Sequence, residues 1–183
     1  MSLAEERRFS EPPLADILAP LPNALLDDPL EHILADHSRQ RSATAALRRF
    51  SETGSASRAD AAALGRFLTL DMQVHHQDED EALFPALSRR ALPEDNLPDC
   101  LARLAEEHRR ADDSRAVILA ALSRDGDPIA FAQPVRAAML RHARAEQRHL
   151  AIENSVVLPL ARVRLTRGDL RTISASMKRC RGI

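Results

Sequence analysis

The sequence has no tryptophan and no tyrosine, only five glycines and two cysteines, and a single lysine, Lys178, among its 26 basic residues. Each shortage excludes something. Without tyrosine, no phenolic ligand or tyrosyl radical enters any chemistry of the chain. Cys100 and Cys180 lie far apart with no CxxC, so neither a disulfide framework nor a thiolate metal site is expected. No segment alternates with period two, which argues against a sheet. No apolar run approaches the ~18 residues of a membrane span. The N-terminal MSLAEERRFSEPP is too charged for a secretory signal, so a cytoplasmic location is expected. A formal net charge of −1 removes the electrostatic footprint of a nucleic-acid binder.

What is present is helical. The 183 residues are 44% apolar and 29% charged, enough to bury one core and about the size of one domain. Residues 1–27, with Pro12, Pro13, Pro20 and Pro22, read as a proline-rich extended arm, with a turn around Leu14 to Leu18. Asp28-Pro29-Leu30-Glu31 is a helix start, with an N-cap aspartate and proline at the first helical position. The first helix should reach about Ser51. A second is expected from Ser57 to Arg89, a third from Pro98 to Ser123, and a fourth from Pro134 to Arg164. Four helices on short loops make residues 28–165 an antiparallel up-down-up-down bundle. Residues 166–183 open on a Thr166-x-x-Asp169 capping pattern and should form a short amphipathic C-terminal helix.

The seven histidines are not randomly placed. An acid stands four residues after His32, His75, His76, His108, His142 and His149, and only His37 lacks one. With 27 acids in 183 residues, about one such coincidence is expected by chance. Surface ion pairs prefer the opposite order, acid before base. A metal site has no such preference, because residues four apart point to one spot, about 40° apart around the helix.

Two of these pairs sit in matching contexts: His75 with Glu79, then Leu83-Phe84-Pro85, and His149 with Glu153, then Val157-Leu158-Pro159. The glutamate-to-proline distance is six in both. A lone histidine after an acid precedes each: Asp36-His37 by 38 residues and Glu107-His108 by 41. The chain therefore reads as a twofold repeat of a helical hairpin. Each hairpin offers one histidine from its first helix and a His plus Glu from its second.

Closing the two hairpins brings His37, His75, Glu79, His108, His149 and Glu153 into one core layer. Buried carboxylates need neutralising, and two divalent cations with a bridging hydroxide come close to charge balance. If both glutamates bridge, each ion receives two nitrogens, two carboxylate oxygens and the hydroxide, leaving one octahedral position open. Such a donor set with open positions suits non-haem iron better than structural zinc. Asp112 is expected to orient His108; His142 with Glu146 continues the polar stripe and is expected to form a His–Glu hydrogen bond at its buried edge, the alternatives being a pair that supports the ligands or lines an entry channel, or an extra ligand. His76 is expected to face solvent or an interface, and His32 to lie on the surface. Leu34, Leu47, Phe67, Met72, Leu104, Ile118 and Ile152 are expected to be core.

On the matched pieces Asp36-His37, His75-His76 with Glu79 and Leu83-Phe84-Pro85, Glu107-His108, and His149 with Glu153 and Leu158-Pro159, the chain resembles the hemerythrin-like (HHE) cation-binding family. The resemblance covers all four long helices. It implies a four-helix bundle holding an oxo- or hydroxo-bridged di-iron centre, with zinc or manganese ranked below iron, that binds O2, senses O2, NO or redox state, handles iron, or helps repair damaged iron centres. Oxygen carriers of the family resemble five-histidine sites with HxxxH on the third helix. Here Asp112 follows His108 by four residues, which implies a four-histidine, two-glutamate centre. A ferritin-like site would need two ExxH pairs. Glu146-x-x-His149 is one, but Leu34, Met72 and Ala105 stand three residues before the other histidines.

The first functional reading is therefore a di-iron protein that binds or senses a diatomic gas or redox state, or handles iron. A di-iron oxidase, peroxidase or repair enzyme ranks below it, and an interaction module acting through a protein partner or a second copy ranks third. No nucleic-acid or membrane partner is expected.

Overall fold

The computed structural model describes residues 12–183, apart from the side chains of Asp112 and Asp113. Four long helices dominate: α2 (Pro29–Thr53), α3 (58–90), α4 (Leu97–Leu122) and α5 (133–164). Before them lies a one-turn helix, α1 (Leu14–Ile17), and after them α6 (Arg167–Cys180). Among the described residues, no helix is long and apolar enough to cross a membrane.

Local chemistry sets the helix ends. The Asp28 carboxylate accepts from the Glu31 N–H at 3.3 Å, with Pro29 at the first helical position. Thr166 Oγ1 accepts from the Asp169 N–H at 3.2 Å, and Asp169 Oδ2 accepts from the Thr166 N–H at 2.9 Å. That reciprocal pair closes the start of α6. Gly54 ends α2 in the left-handed region at φ 76°, where a side chain is disfavoured.

Two features depart from the expected helix-and-loop pattern. Ser55–Ala56 (β1) pairs antiparallel with Ile129–Ala130 (β2), so the α2–α3 and α4–α5 connections are stitched together by a two-residue ladder. Segments this short cannot show an alternation in the sequence. The long helices are also interrupted by π turns, at Phe67–Asp71 and Glu79–Leu83 in α3 and at Glu153–Val157 in α5. The last two begin on the repeated glutamates and end two residues before Pro85 and Pro159. A proline in a regular helix removes an N–H and drives its ring against the carbonyl four residues back. A widened turn just ahead accommodates that ring, which explains the constant glutamate-to-proline distance.

The core falls into two apolar clusters. One gathers Leu47 and Phe50 of α2, Leu64, Phe67 and Met72 of α3, Ile118 of α4 and Met139 of α5. The other gathers Leu30 and Ile33 of α2, Leu83 and Leu87 of α3, Leu97 and Leu104 of α4, and Val157 and Leu158 of α5. The second cluster takes the start of α2, the end of α3, the start of α4 and the end of α5, as an up-down-up-down bundle requires. On every helix the repeated histidines and glutamates lie between the two apolar runs. Of the expected core residues, Leu34 and Ile152 are only half-buried, at the edge of the second cluster.

Residues 12–27 are not a free arm. Leu14 and Leu18 join the first cluster and Leu26 the second, and Arg39 of α2 donates to the Leu18 carbonyl at 2.8 Å. The expectation for residues 1–11 lies outside the described residues.

Candidate metal centre

The six repeated residues meet in the layer between the two apolar clusters, and all are buried. Their atoms form two groups, His37, His75, Glu79 and Glu153, and Glu79, His108, His149 and Glu153, with donor atoms in each group within 4.8 Å of one another. The first hairpin supplies both histidines of one group and the second hairpin both of the other. Each glutamate belongs to both.

The contacts show how tightly the layer converges. Glu79 lies 3.6 Å from His37 Nε2, 3.3 Å from His75 Nε2 and 3.5 Å from His108 Nε2. Glu153 lies 3.4 Å from His37 Nε2 and 2.9 Å from His149 Nε2. His108 Nε2 and His149 Nε2 face each other at 3.0 Å.

The opposite edge of each ring is held from behind. His75 Nδ1 meets Asp36 Oδ2 at 3.2 Å and His149 Nδ1 meets Glu107 Oε2 at 3.0 Å. His108 Nδ1 meets Asp80 Oδ1 at 3.0 Å and His37 Nδ1 meets Asn154 Oδ1 at 3.2 Å. The Asn154 amide donates its N–H to the Leu150 carbonyl at 2.7 Å, which turns its oxygen toward His37. With an acceptor at every Nδ1, each ring keeps a proton there and turns Nε2 into the layer, where its lone pair serves a cation once that nitrogen is deprotonated. This is the tautomer a metal-binding imidazole needs.

The layer is unfinished as a set of protein contacts. His37 Nε2, Glu79 Oε2 and both carboxylate oxygens of Glu153 are buried without a hydrogen-bond partner. His149 Nε2 stands at ion-pair distance from Glu153 Oε1 without hydrogen-bond geometry. Orphaned buried carboxylate oxygens are costly. Two donors about 2.1 Å from one cation and at right angles sit about 3 Å apart, which is the separation His108 Nε2 and His149 Nε2 show. The residues present therefore fit a pair of cations.

Titration follows the same geometry. Burial pulls the His149 imidazole down, but the neighbouring carboxylates of Glu153, Glu146 and Glu107 outweigh it and raise its pKa to about 10. Burial likewise opposes a charged His75, yet Glu79 and Asp36 hold it well above the ordinary histidine value. Glu79 is pushed up by burial and pulled well below the usual carboxylate range by His75 and His37.

Several other residues sit differently from the sequence expectation. His76 does not face solvent: it is buried and stacked on the His108 ring, with centroids 3.9 Å apart and planes 10° from parallel. His32 is also buried, because α6 folds over it and brings Arg181 Nη2 to within 3.3 Å of its Nε2. The Asp112 side chain lies outside the described residues, and Asp80 is what His108 Nδ1 meets. His142 and Glu146 are buried beside the layer but in neither donor group, and His142 Nδ1 contacts Ser114 Oγ at 2.8 Å rather than Glu146.

Sequence reasoning missed the roles of Asp36, Asp80, Glu107 and Asn154. Their signal was present in the repeat: an acid before each lone histidine, and a polar residue after each repeated glutamate.

An antiparallel helical bundle with two adjacent buried His/Glu clusters is consistent with a cation-binding domain holding a di-metal centre. The chain belongs to the hemerythrin HHE cation-binding domain family, whose model matches residues 28–161. No curated protein and no solved structure matches it.

Proposed function

We propose that the site holds a bridged pair of non-haem iron ions and that the protein uses them to bind or sense O2, NO or redox state, or to handle iron. His37 and His75 would hold one ion, His108 and His149 the other, with Glu79 and Glu153 spanning both. The observation that carries this reading is the sharing of both glutamates between two histidine pairs. Iron is favoured over structural zinc because the donors are all nitrogen and oxygen, and two histidines with two shared carboxylates leave the coordination of each ion unfilled. Such a pair, when bound, would supply one-electron redox steps and open positions for a small ligand.

The chain's own residues do the rest. Asp36, Glu107, Asp80 and Asn154 fix the rings so that little rearrangement accompanies binding. The two apolar clusters exclude water above and below the layer along the bundle axis, which strengthens the carboxylate–cation attraction.

Loading the purified chain anaerobically with ferrous iron and exposing it to O2, and separately to NO, tests the reading by absorption spectroscopy. A new visible band with either gas is expected. Tightly retained zinc with no optical response to either gas would reject it.

A further inference from the structure

The two ends of the layer are not equally walled. His37 and His75 are sealed, at 0% and 2% exposure. His108 and His149 instead line a cavity of about 350 Å³ between α4 and α5. Ser114, His142 and Glu146 also line it, and Arg141 and Arg148, both exposed, stand at its opening.

These walls are built rather than incidental. Ser114 Oγ donates to the Ala111 carbonyl at 3.0 Å and contacts His142 Nδ1 at 2.8 Å, which fixes both side chains. Glu146 is 8% exposed, and its Oε1 has no hydrogen-bond partner. An orphaned carboxyl oxygen at a cavity wall calls for a ligand or ordered water. Arg141 and Arg148 have no ion-pair partner among the described residues. Two unpaired guanidinium groups present the planar donor forks that suit carboxylate and phosphate.

Size separates this cavity from a gas channel. A water molecule occupies about 30 Å³ and a diatomic gas is of similar scale. The cavity is roughly tenfold larger, at the low end of the ~300–1,000 Å³ range of small-molecule sites.

We propose that this cavity binds a small organic oxyanion, held at its opening by Arg141 and Arg148 and reaching in to the His108–His149 side of the centre. The inference rests on the cation pair, which would add positive charge at the cavity floor. It assigns the protein a ligand larger than a diatomic gas and makes the two ends of the centre unequal.

Isothermal titration of the metal-loaded full chain with benzoate and with phenyl phosphate tests this, with metal content measured on the same samples. Saturable binding of at least one probe is expected. Benzoate alone would identify a carboxylate site, phenyl phosphate alone a phosphate site, and both a general oxyanion site. Arg141→Glu with Arg148→Glu should weaken binding at least about tenfold at unchanged metal content. Ala145→Phe, at a residue lining the cavity, should abolish it by filling the space. A chain that retains its metals yet binds neither probe overturns the proposal, as does a double variant that binds as tightly as the parent. A chain that takes up no metal pair defeats the reading beneath it, and the metal analysis registers that failure separately.

Discussion

Asp36 holds the imidazole of His75 rather than that of its neighbour His37, with Oδ2 3.2 Å from Nδ1. Glu107 repeats the relationship, holding His149 at 3.0 Å rather than the adjacent His108. The acid on the first helix of each hairpin thus orients the histidine on the second. The residue after each glutamate then orients the lone histidine of the other hairpin: Asp80 holds His108, and Asn154 holds His37. The ring supports cross the bundle in both directions.

Removing such a support should loosen the metal without unfolding the chain. Asp36→Ala and Glu107→Ala should each lower metal affinity by about 10- to 100-fold, read by competition with a chromogenic chelator. Asp36→Asn keeps an acceptor oxygen and should lose less. Unchanged affinity in both alanine variants would mean that these carboxylates do not set the rings.

Because each glutamate serves both histidine pairs, Glu79→Ala should cost both cations rather than one. Metal analysis after loading and desalting reads this directly. A variant that retains one ion per chain would show that the two groups act separately.

Cation uptake should release protons. In the metal-free chain His149 titrates at about 10 and His75 is raised well above 6.5, so both carry a proton at neutral pH. A cation must displace those protons, so affinity should rise with pH through this range and fall toward acid. Titration calorimetry in buffers of different ionisation heat should find about two protons released per chain filled. The stability of the metal-free form runs the other way. A raised folded-state pKa stabilises fully below the unfolded value of about 6.5 and loses that contribution as pH climbs through about 10. Metal-free chain should therefore melt at progressively lower temperature in alkaline buffer.

Arg39 is buried beneath Asp36, paired with both Asp36 and Asp71 and bonded to the Leu18 carbonyl. Arg39→Met would take the shared guanidinium from the buried Asp36 and the half-buried Asp71, leaving them only His75 and Arg66, and removing one partner of a buried pair costs about 3–5 kcal/mol. Chemical denaturation should show a loss of that size together with weaker metal retention, since Asp36 then no longer bears firmly on His75. Loss of stability with metal affinity intact would uncouple Arg39 from the centre.

The bundle was legible in the sequence because capping and hydrophobic period act locally. Asp28, Pro29 and the Thr166–Asp169 pair mark ends that the structure reproduces. The convergence of the six repeated residues was legible because the His–Glu–Pro spacing is identical in both copies and a lone histidine after an acid precedes each. The β1–β2 stitch was not, since two residues on each side carry no period. Nor was the burial of His32, which depends on where α6 lands. The stacking of His76 on His108 escaped for a similar reason: a helical wheel places His76 about 100° from His75, but does not say that α4 comes close enough to cover it.

The most direct test of the shared-glutamate centre is the metal-to-chain ratio of the intact protein after anaerobic loading with ferrous iron and removal of excess metal. Two histidine pairs bridged by Glu79 and Glu153 predict about two irons per chain. A ratio that stops at one, or metal that washes out entirely, would contradict it.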